Sequence, residues 1–427
     1  MRSLRQEHGG PLRFAGIGGQ AMQAEGLQSL FPMEDLSVMG FAELLPRLPR
    51  LRARLHQAIA SVRELQPRLV VGIDSKGFNL RLLRALADEP GGSAEQCAHT
   101  SHQRPALVQY VAPSAWAFRD AERRASRLAG WLDELLLLLP FEQALYERAG
   151  VRCTFVGHPS LEDDSGLPAA AAGRMAAAAA FRSRHALCAA APTVCLLPGS
   201  RAQELRGTLP PMLEAAKLLN RELSASGGGP AGPSGSGLQL VLATPRALRS
   251  LAESILRSHS NLPRVVVVDS AERFDAYSAA QLALACSGTV NMELALAGTP
   301  QVALYRTSWL TAFYIRAILR PTVQHATLPN ILAQREVGPH RVRARLPRLP
   351  TASRVSPVPQ VIPELLFERC APEPIAAAAM RMLADPSLQE AQCAALRELL
   401  PRFGVYEDRE LVPPSRVAAR ALLRHLT

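Results

Sequence analysis

The sequence predicts an α/β protein made of two doubly wound domains. Two observations carry that expectation. Short apolar runs alternate with helical patterns along most of the chain, the rhythm by which βαβ units build a parallel sheet. At 427 residues, 48% of them hydrophobic, the chain can also bury two separate cores.

The first half supplies RFAGIGG (13–19), RLVVGID (68–74), ALVQYVA (106–112) and ELLLLLP (134–140) as strands. FNLRLLRALAD and FEQALYERAG read as two of the intervening helices. The rhythm resumes after Ala191 with TVCLLPG, LQLVLAT, RVVVVDS, LALACSG and QVALYR. The expected division is an N-terminal domain over 1–167, an interdomain segment over 168–192, a second domain over 193–404 and a helical tail over 405–427. The interdomain segment is rich in alanine and has helix formers but no clear apolar stripe. Three stretches read as loop insertions dispensable to the chemistry. They are 87–105, the Gly/Ser/Pro-rich 224–237 and the basic, proline-rich 338–360.

Lys and Arg number 48 against 37 Asp and Glu, with arginine dominant, which suits phosphate or an anionic membrane surface and equally follows from a GC-rich genome. Seven scattered cysteines without a CxxC pair indicate a reducing compartment and no structural zinc. No apolar run approaches the ~20 residues that span a bilayer, so the chain reads as soluble or peripheral. MRSLRQEHGG is too short, and too soon followed by fold-like sequence, to read as a signal or transit peptide.

In an open α/β sheet ligands bind beyond the carboxyl ends of the strands, so the residues that follow each apolar run are the candidates. These are Asp74, the 113–116 turn PSAW, His158, the Gly199-Ser200-Arg201 turn and Ser287-Gly288-Thr289. Asp74 at a strand end is a candidate general base, its pKa raised by partial burial, or else a cap of the following helix. SGTVNMEL brings small residues to a helix N-terminus, where free N–H groups and the dipole attract phosphate. Glu293, one turn in, could accept from ribose hydroxyls, or be an ordinary surface glutamate. Gly199 and Ser200 offer backbone N–H groups, and Arg201 can fork onto a diphosphate. The spacing is not that of a Walker A loop.

Taken together the motifs resemble the lipid-A-disaccharide synthase family, inverting glycosyltransferases with two Rossmann-like domains (GT-B). The matching pieces, in order, are GIGGQAMQAEGLQSLFPMEDLSVMGFAELLPRLPRL, GIDSKGFNLRL, YVAPSAWAFR, LLPFEQALYERAGVRCTFVGHP, LLPGSRAQEL, SGTVNMELALAGTPQVALYR and LPNILAQREV. The resemblance implies transfer of 2,3-diacylglucosamine from its UDP conjugate to the 6-hydroxyl of 2,3-diacylglucosamine 1-phosphate. It places the base at Asp74, the diphosphate-contacting arginine at Arg201, the nucleotide-side glutamate at Glu293 and the site asparagine at Asn330. No cofactor or metal is expected, and nucleic acid is not among the partners.

Acylated substrates imply a membrane surface. The matching segment is MGFAELLPRLPRL, with Phe41, Leu44, Leu45 and Leu48 beside Arg47 and Arg50, an interfacial mixture or a helix packed within its domain. A homodimer is a further implied partner. SKGF and the HPSLED run resemble the plant and algal branch, which implies a mitochondrial peripheral protein, with the cytoplasmic face of a bacterial inner membrane as the alternative. The family opens with a strand and a GExSGD loop, and this sequence begins after them. RFAGIGG is therefore expected as the second strand, bordering an unpaired gap in the N-terminal sheet. A catalytically impaired homologue and an epimerase of unacylated UDP-sugars are the competing functions.

Overall fold

The computed structural model describes residues 1–36, 41–89, 104–162, 171–225, 237–306, 325–334 and 360–426. The inner parts of all three insertions lie outside the described residues. The chain forms two compact units, 1–162 with 403–427, and 163–402.

In the first unit, strands β1 (Leu69–Ile73), β2 (Ala106–Tyr110), β3 (Glu134–Leu137) and β4 (Cys153–Phe155) pair in parallel in chain order. Leu107, Val108 and Leu135 to Leu137 are wholly buried, as near-continuous apolar runs in a parallel sheet require. RFAGIGG forms no strand, contrary to expectation; only Gly16 makes an isolated parallel bridge, to Ser29. Three glycines in seven residues leave few side chains to pack, and Gly16 has a φ of 148° that ordinary strand residues avoid. The expected gap is likewise absent among the described residues. The sheet is continuous, and β1 is its outermost strand, with Ile73 48% exposed.

The tail does not stand apart. Helix Pro414–Leu423 lays Ala418, Ala421 and Leu422 against Val108, Leu136 and Val156 of the first unit's core. At its end Arg424 and His425 both reach Glu134, a buried β3 carboxylate that also accepts from the Thr154 hydroxyl. That buried acid has hydrogen-bond partners, the Arg424 guanidinium as counter-charge among them, supplied by residues nearly 300 positions away.

Among the described residues the second unit carries six parallel strands in the order β10-β9-β8-β5-β6-β7. They span β5 Thr193–Leu197, β6 Gln239–Thr244, β7 Arg264–Asp269, β8 Leu282–Cys286, β9 Gln301–Tyr305 and β10 Glu364–Leu366. Helices Ala202–Ala225 and Pro372–Ala384 cover one face, around Leu205, Leu209, Met212 and Ile375. Phe181, Tyr277 and Leu294 cover the other. The segment read as interdomain is helical over Ala171–Arg184 and belongs to this second unit, with Phe181 fully buried on the sheet. Winding starts at β5 and proceeds outward both ways, so the order reverses between β5 and β8. That reversal opens the crevice in which doubly wound sheets bind ligands.

Candidate active site

The switch point of the second unit brings two of the expected motifs together. Leu197 of β5 pairs with Ala285 of β8, so the turn that follows each strand emerges beside the other. After β5, Gly199 adopts a φ of 114°, and a Cβ there would lie 2.5 Å from the Glu204 carboxylate. Only glycine permits the turn. Glu204, in the first turn of the Ala202–Ala225 helix, accepts from the Ser200 N–H at 3.0 Å and from the Arg201 guanidinium at 2.8 Å. Its carboxylate thus holds Arg201 at the positive end of the helix dipole while the arginine side chain stays 56% exposed. The guanidinium is thereby positioned, with two of its nitrogens uncommitted among the described residues. Cys286, at the end of β8, is no nucleophile, because burial pushes its thiol up to about 12.

After β8, the Ser287 N–H is spent on Leu304 and the Gly288 N–H on the Asn291 side chain. Asn291 is itself tied to Gln301, and Gln301 to Gln392, in a buried amide chain. The loop is therefore rigid. Within it, the Thr289 and Val290 N–H groups donate to nothing among the described residues, so they are the amides left to face an anion. Glu293 is not an ordinary surface glutamate. Its Oε2 accepts from Arg273 Nε at 3.0 Å and from the Tyr277 hydroxyl at 3.1 Å, which leaves Oε1 to accept from a ligand. Burial pushes the Tyr277 phenol far up, so it remains a donor. Arg273 and Tyr277 escaped the sequence reading, although their spacing of four on one helix is a signal that they share a face.

Asn330 is bonded within the protein. It is 1% exposed and its amide is fully committed. Nδ2 donates to Ile362 O and to Glu364, while Oδ1 accepts from the Val361 and Ile362 N–H groups. Glu364 also collects the Ala326 and Thr327 N–H groups, the Thr327 hydroxyl and the His325 ring. Burial works to raise the Glu364 pKa, and the bonds from His325 and Thr327 outweigh it, so the carboxyl lies below its ordinary value. This buried node fixes the LPNIL helix against β10, and its acid, across an insertion from Asn330, carries no local sequence signal.

In the first unit, Asp74 closes β1 in the left-handed region, φ 49°, followed by Ser75 at φ 31°. Two consecutive non-glycine residues there mark stored strain, on the order of 1 kcal/mol or more each. Three hydrogen bonds hold the backbone in place. The Asp74 N–H donates to Tyr110 O at 2.8 Å, and the Asp74 carbonyl accepts from Gln109 Nε2 at 2.9 Å and Asn79 Nδ2 at 3.1 Å. The carboxylate itself is exposed and has no hydrogen-bond partner among the described residues. It caps nothing, and the partial burial expected to raise its pKa is not found: the turn that fixes its backbone also throws the side chain outward.

Two neighbouring strand ends are braced together. Glu142 is buried, accepts from Trp116 Nε1 at 2.8 Å, and lies beside the turn that begins at Pro113. Burial is the main force that lifts its carboxyl to about 7. His158 is structural: burial lowers it to about 4, its Nδ1 accepts from the Ser160 N–H, and its ring packs on Phe403. Of the membrane-facing candidates, Phe41, Leu44, Leu45 and Arg47 start the Phe41–Leu65 helix, but their side chains lie outside the described residues. Leu48 is 45% exposed, and Arg50 and Arg54 both bind Asp35. Among the described residues no helix is long and apolar enough to cross a membrane, and no group of three or more His, Cys, Asp or Glu could hold a metal.

The family model described as lipid-A-disaccharide synthetase matches residues 1–346. The chain is 36% identical to a lipid-A-disaccharide synthase of Rhodospirillum centenum, over all of this chain and 90% of that protein. It is 35% identical to the Paramagnetospirillum magneticum protein of the same name, over 99% of this chain and 92% of the other. A probable mitochondrial lipid-A-disaccharide synthase of Arabidopsis thaliana is 34% identical, over 96% of this chain and 81% of its own. By the family model and these relatives, the chain belongs to the lipid-A-disaccharide synthase family of glycosyltransferases.

Proposed function

We propose that this chain transfers 2,3-diacylglucosamine from its UDP conjugate to the 6-hydroxyl of 2,3-diacylglucosamine 1-phosphate, giving a β-1,6 disaccharide and UDP. The observation that carries the reading is the pairing at the β5–β8 switch point of an exposed, pre-positioned Arg201 with a carboxylate, Glu293, that keeps one oxygen free. In a single displacement, Asp74 takes the proton of the 6-hydroxyl as that oxygen bonds to the anomeric carbon. The anomeric C–O bond breaks and its electron pair leaves on the β-phosphate of UDP. Arg201, with the Thr289 and Val290 amides, neutralises that charge. Glu293 accepts from the ribose, and Gly199 and Ser200 shape the turn around the diphosphate. Ser287 and Gly288 hold the loop, and Asn330 positions rather than touches the ligand.

The acylated substrates would be met at a membrane surface through the start of the Phe41–Leu65 helix. The resemblance to the plant relative favours a mitochondrial, peripheral location and leaves room for a homodimer. The test is to supply purified protein with both acylated sugars and identify the products by mass spectrometry. Disaccharide and UDP in equal amounts support the reading. UDP-N-acetylglucosamine turnover without acyl chains would make it an epimerase, and no turnover at all a silent homologue.

A further inference from the structure

We propose that a groove between the Lys76–Ala87 helix and the Arg127–Trp131 segment binds the phosphate end of the acceptor glycolipid. This rests on the transfer reaction proposed above. The groove, about 690 Å³, belongs wholly to the first unit and starts two residues after Asp74. Lys76, Arg81, Arg84 and Arg127 rim it, with Asp88 as the single acid in its lining. That acid is already matched, since Arg84 Nε donates to it at 2.9 Å.

The cations differ in how far they are committed. Arg84 lies over the Trp131 ring, 5.5 Å from its centre, and Arg81 donates to the Gly77 carbonyl. The Lys76 ammonium and the Arg127 guanidinium, both exposed, make no hydrogen bond or ion pair among the described residues. Four cations share this lining with one acid, Lys76 also feeling the buried Glu142, and a bound anion relieves their mutual repulsion. The floor has the opposite character. Trp131 is 8% exposed, anchored by its indole N–H to Arg127 O at 2.6 Å, and forms an apolar bed with Leu80.

A basic rim along an apolar groove fits an anionic sugar better than a free ion: the ring lies along Leu80 and the arginine stems and a phosphomonoester meets the cations. The acceptor is such a molecule, with its phosphate on C1 and the hydroxyl that must lose a proton on C6, carried by the carbon on the other side of the ring oxygen. Asp74 lies two residues before Lys76, the first residue of the lining. Recognition of the phosphate would then fix which hydroxyl reaches the base.

The test uses the full chain and two soluble probes, a short-acyl 2,3-diacylglucosamine 1-phosphate and the same sugar without phosphate, titrated calorimetrically. Wild type should favour the phosphorylated probe, and Lys76→Gln and Arg127→Gln should each reduce that preference about tenfold, the loss of one charge-assisted contact. UDP affinity and melting temperature should not change. Unchanged preference in both variants overturns the inference. So does a loss confined to vesicles of phosphatidylcholine with phosphatidylglycerol, which would make the groove a membrane-headgroup surface. Groove-dependent binding without UDP release would sink the transfer reaction and leave the groove standing; UDP release with intact preference in the variants would do the reverse.

Discussion

Gly72→Ala tests how Asp74 is held. A Cβ at Gly72 would lie 2.6 Å from Gln109 Oε1 and 2.9 Å from Asn79 Cβ, inside any contact real atoms make. Gln109 and Asn79 are the two side chains that donate to the Asp74 carbonyl. Gln109 is wholly buried and cannot swing into solvent. Losing two such bonds costs about 2 kcal/mol, and overpacking adds about 1 kcal/mol or more, so the variant should lose about 3 kcal/mol. For a unit of this size the melting temperature should fall by about 6–12 °C. Below the transition, where the variant remains folded, turnover should still drop about tenfold or more, because the turn that aims the carboxylate has lost its braces. Thermal unfolding by circular dichroism and UDP release at 20 °C measure the two effects. A variant with unchanged melting temperature and turnover would refute the claim that Gly72, Gln109 and Asn79 set the pose of Asp74.

Other expectations follow from the same geometry. Gly199→Ala should weaken UDP binding about tenfold or more, since its Cβ would displace the Glu204 carboxylate that positions Arg201; calorimetric titration with UDP reads this. Asn330→Ala should cost about 3 kcal/mol in urea unfolding by stranding the buried Val361 and Ile362 N–H groups and the Ile362 carbonyl, with UDP affinity in the folded variant little changed; a pure affinity loss would mean that the asparagine touches the ligand. Glu142 gives a pH dependence. Its carboxyl is raised from 4.5 to about 7, so the folded state keeps a proton that the unfolded chain releases in that window. Stability should therefore fall as pH rises from about 4.5 to 7, by at most about 3 kcal/mol, and Glu142→Gln should flatten the fall; urea midpoints at intervals across that range measure it.

What could be read from the sequence, and what could not, follows from the range of the forces involved. Strand ends are legible because a buried parallel strand must be an apolar run, and the run stops where the chain reaches the ligand side. Asp74, Arg201, Ser287 and Glu293 all came from that one rule, and the β5–β8 switch point brings the last three to neighbouring strand ends. The rule fails where apolar residues are thinned by glycine, so RFAGIGG resembles a strand but only Gly16 bridges. It also says nothing about partners remote in sequence. Glu134 depends on Arg424 and His425, and Asn330 on residues 361–364, across an insertion. The alanine-rich 171–184 stretch lacks a moment yet packs, because small side chains let Phe181 alone mark its buried face. Exposure was misjudged at Asp74, since a left-handed turn that points a side chain outward leaves no trace in composition.

The most direct measurement compares UDP release by the wild-type chain and Asp74→Asn, given both acylated sugars, beside calorimetric UDP binding by each. Asparagine tolerates the left-handed backbone at least as well as aspartate, so the fold is undisturbed. The account predicts disaccharide and UDP from the wild type, a turnover about 10²–10⁴-fold lower in the variant, and equal UDP affinity in both. Equal turnover in the two proteins would contradict it, because the proton of the acceptor hydroxyl would then be going elsewhere.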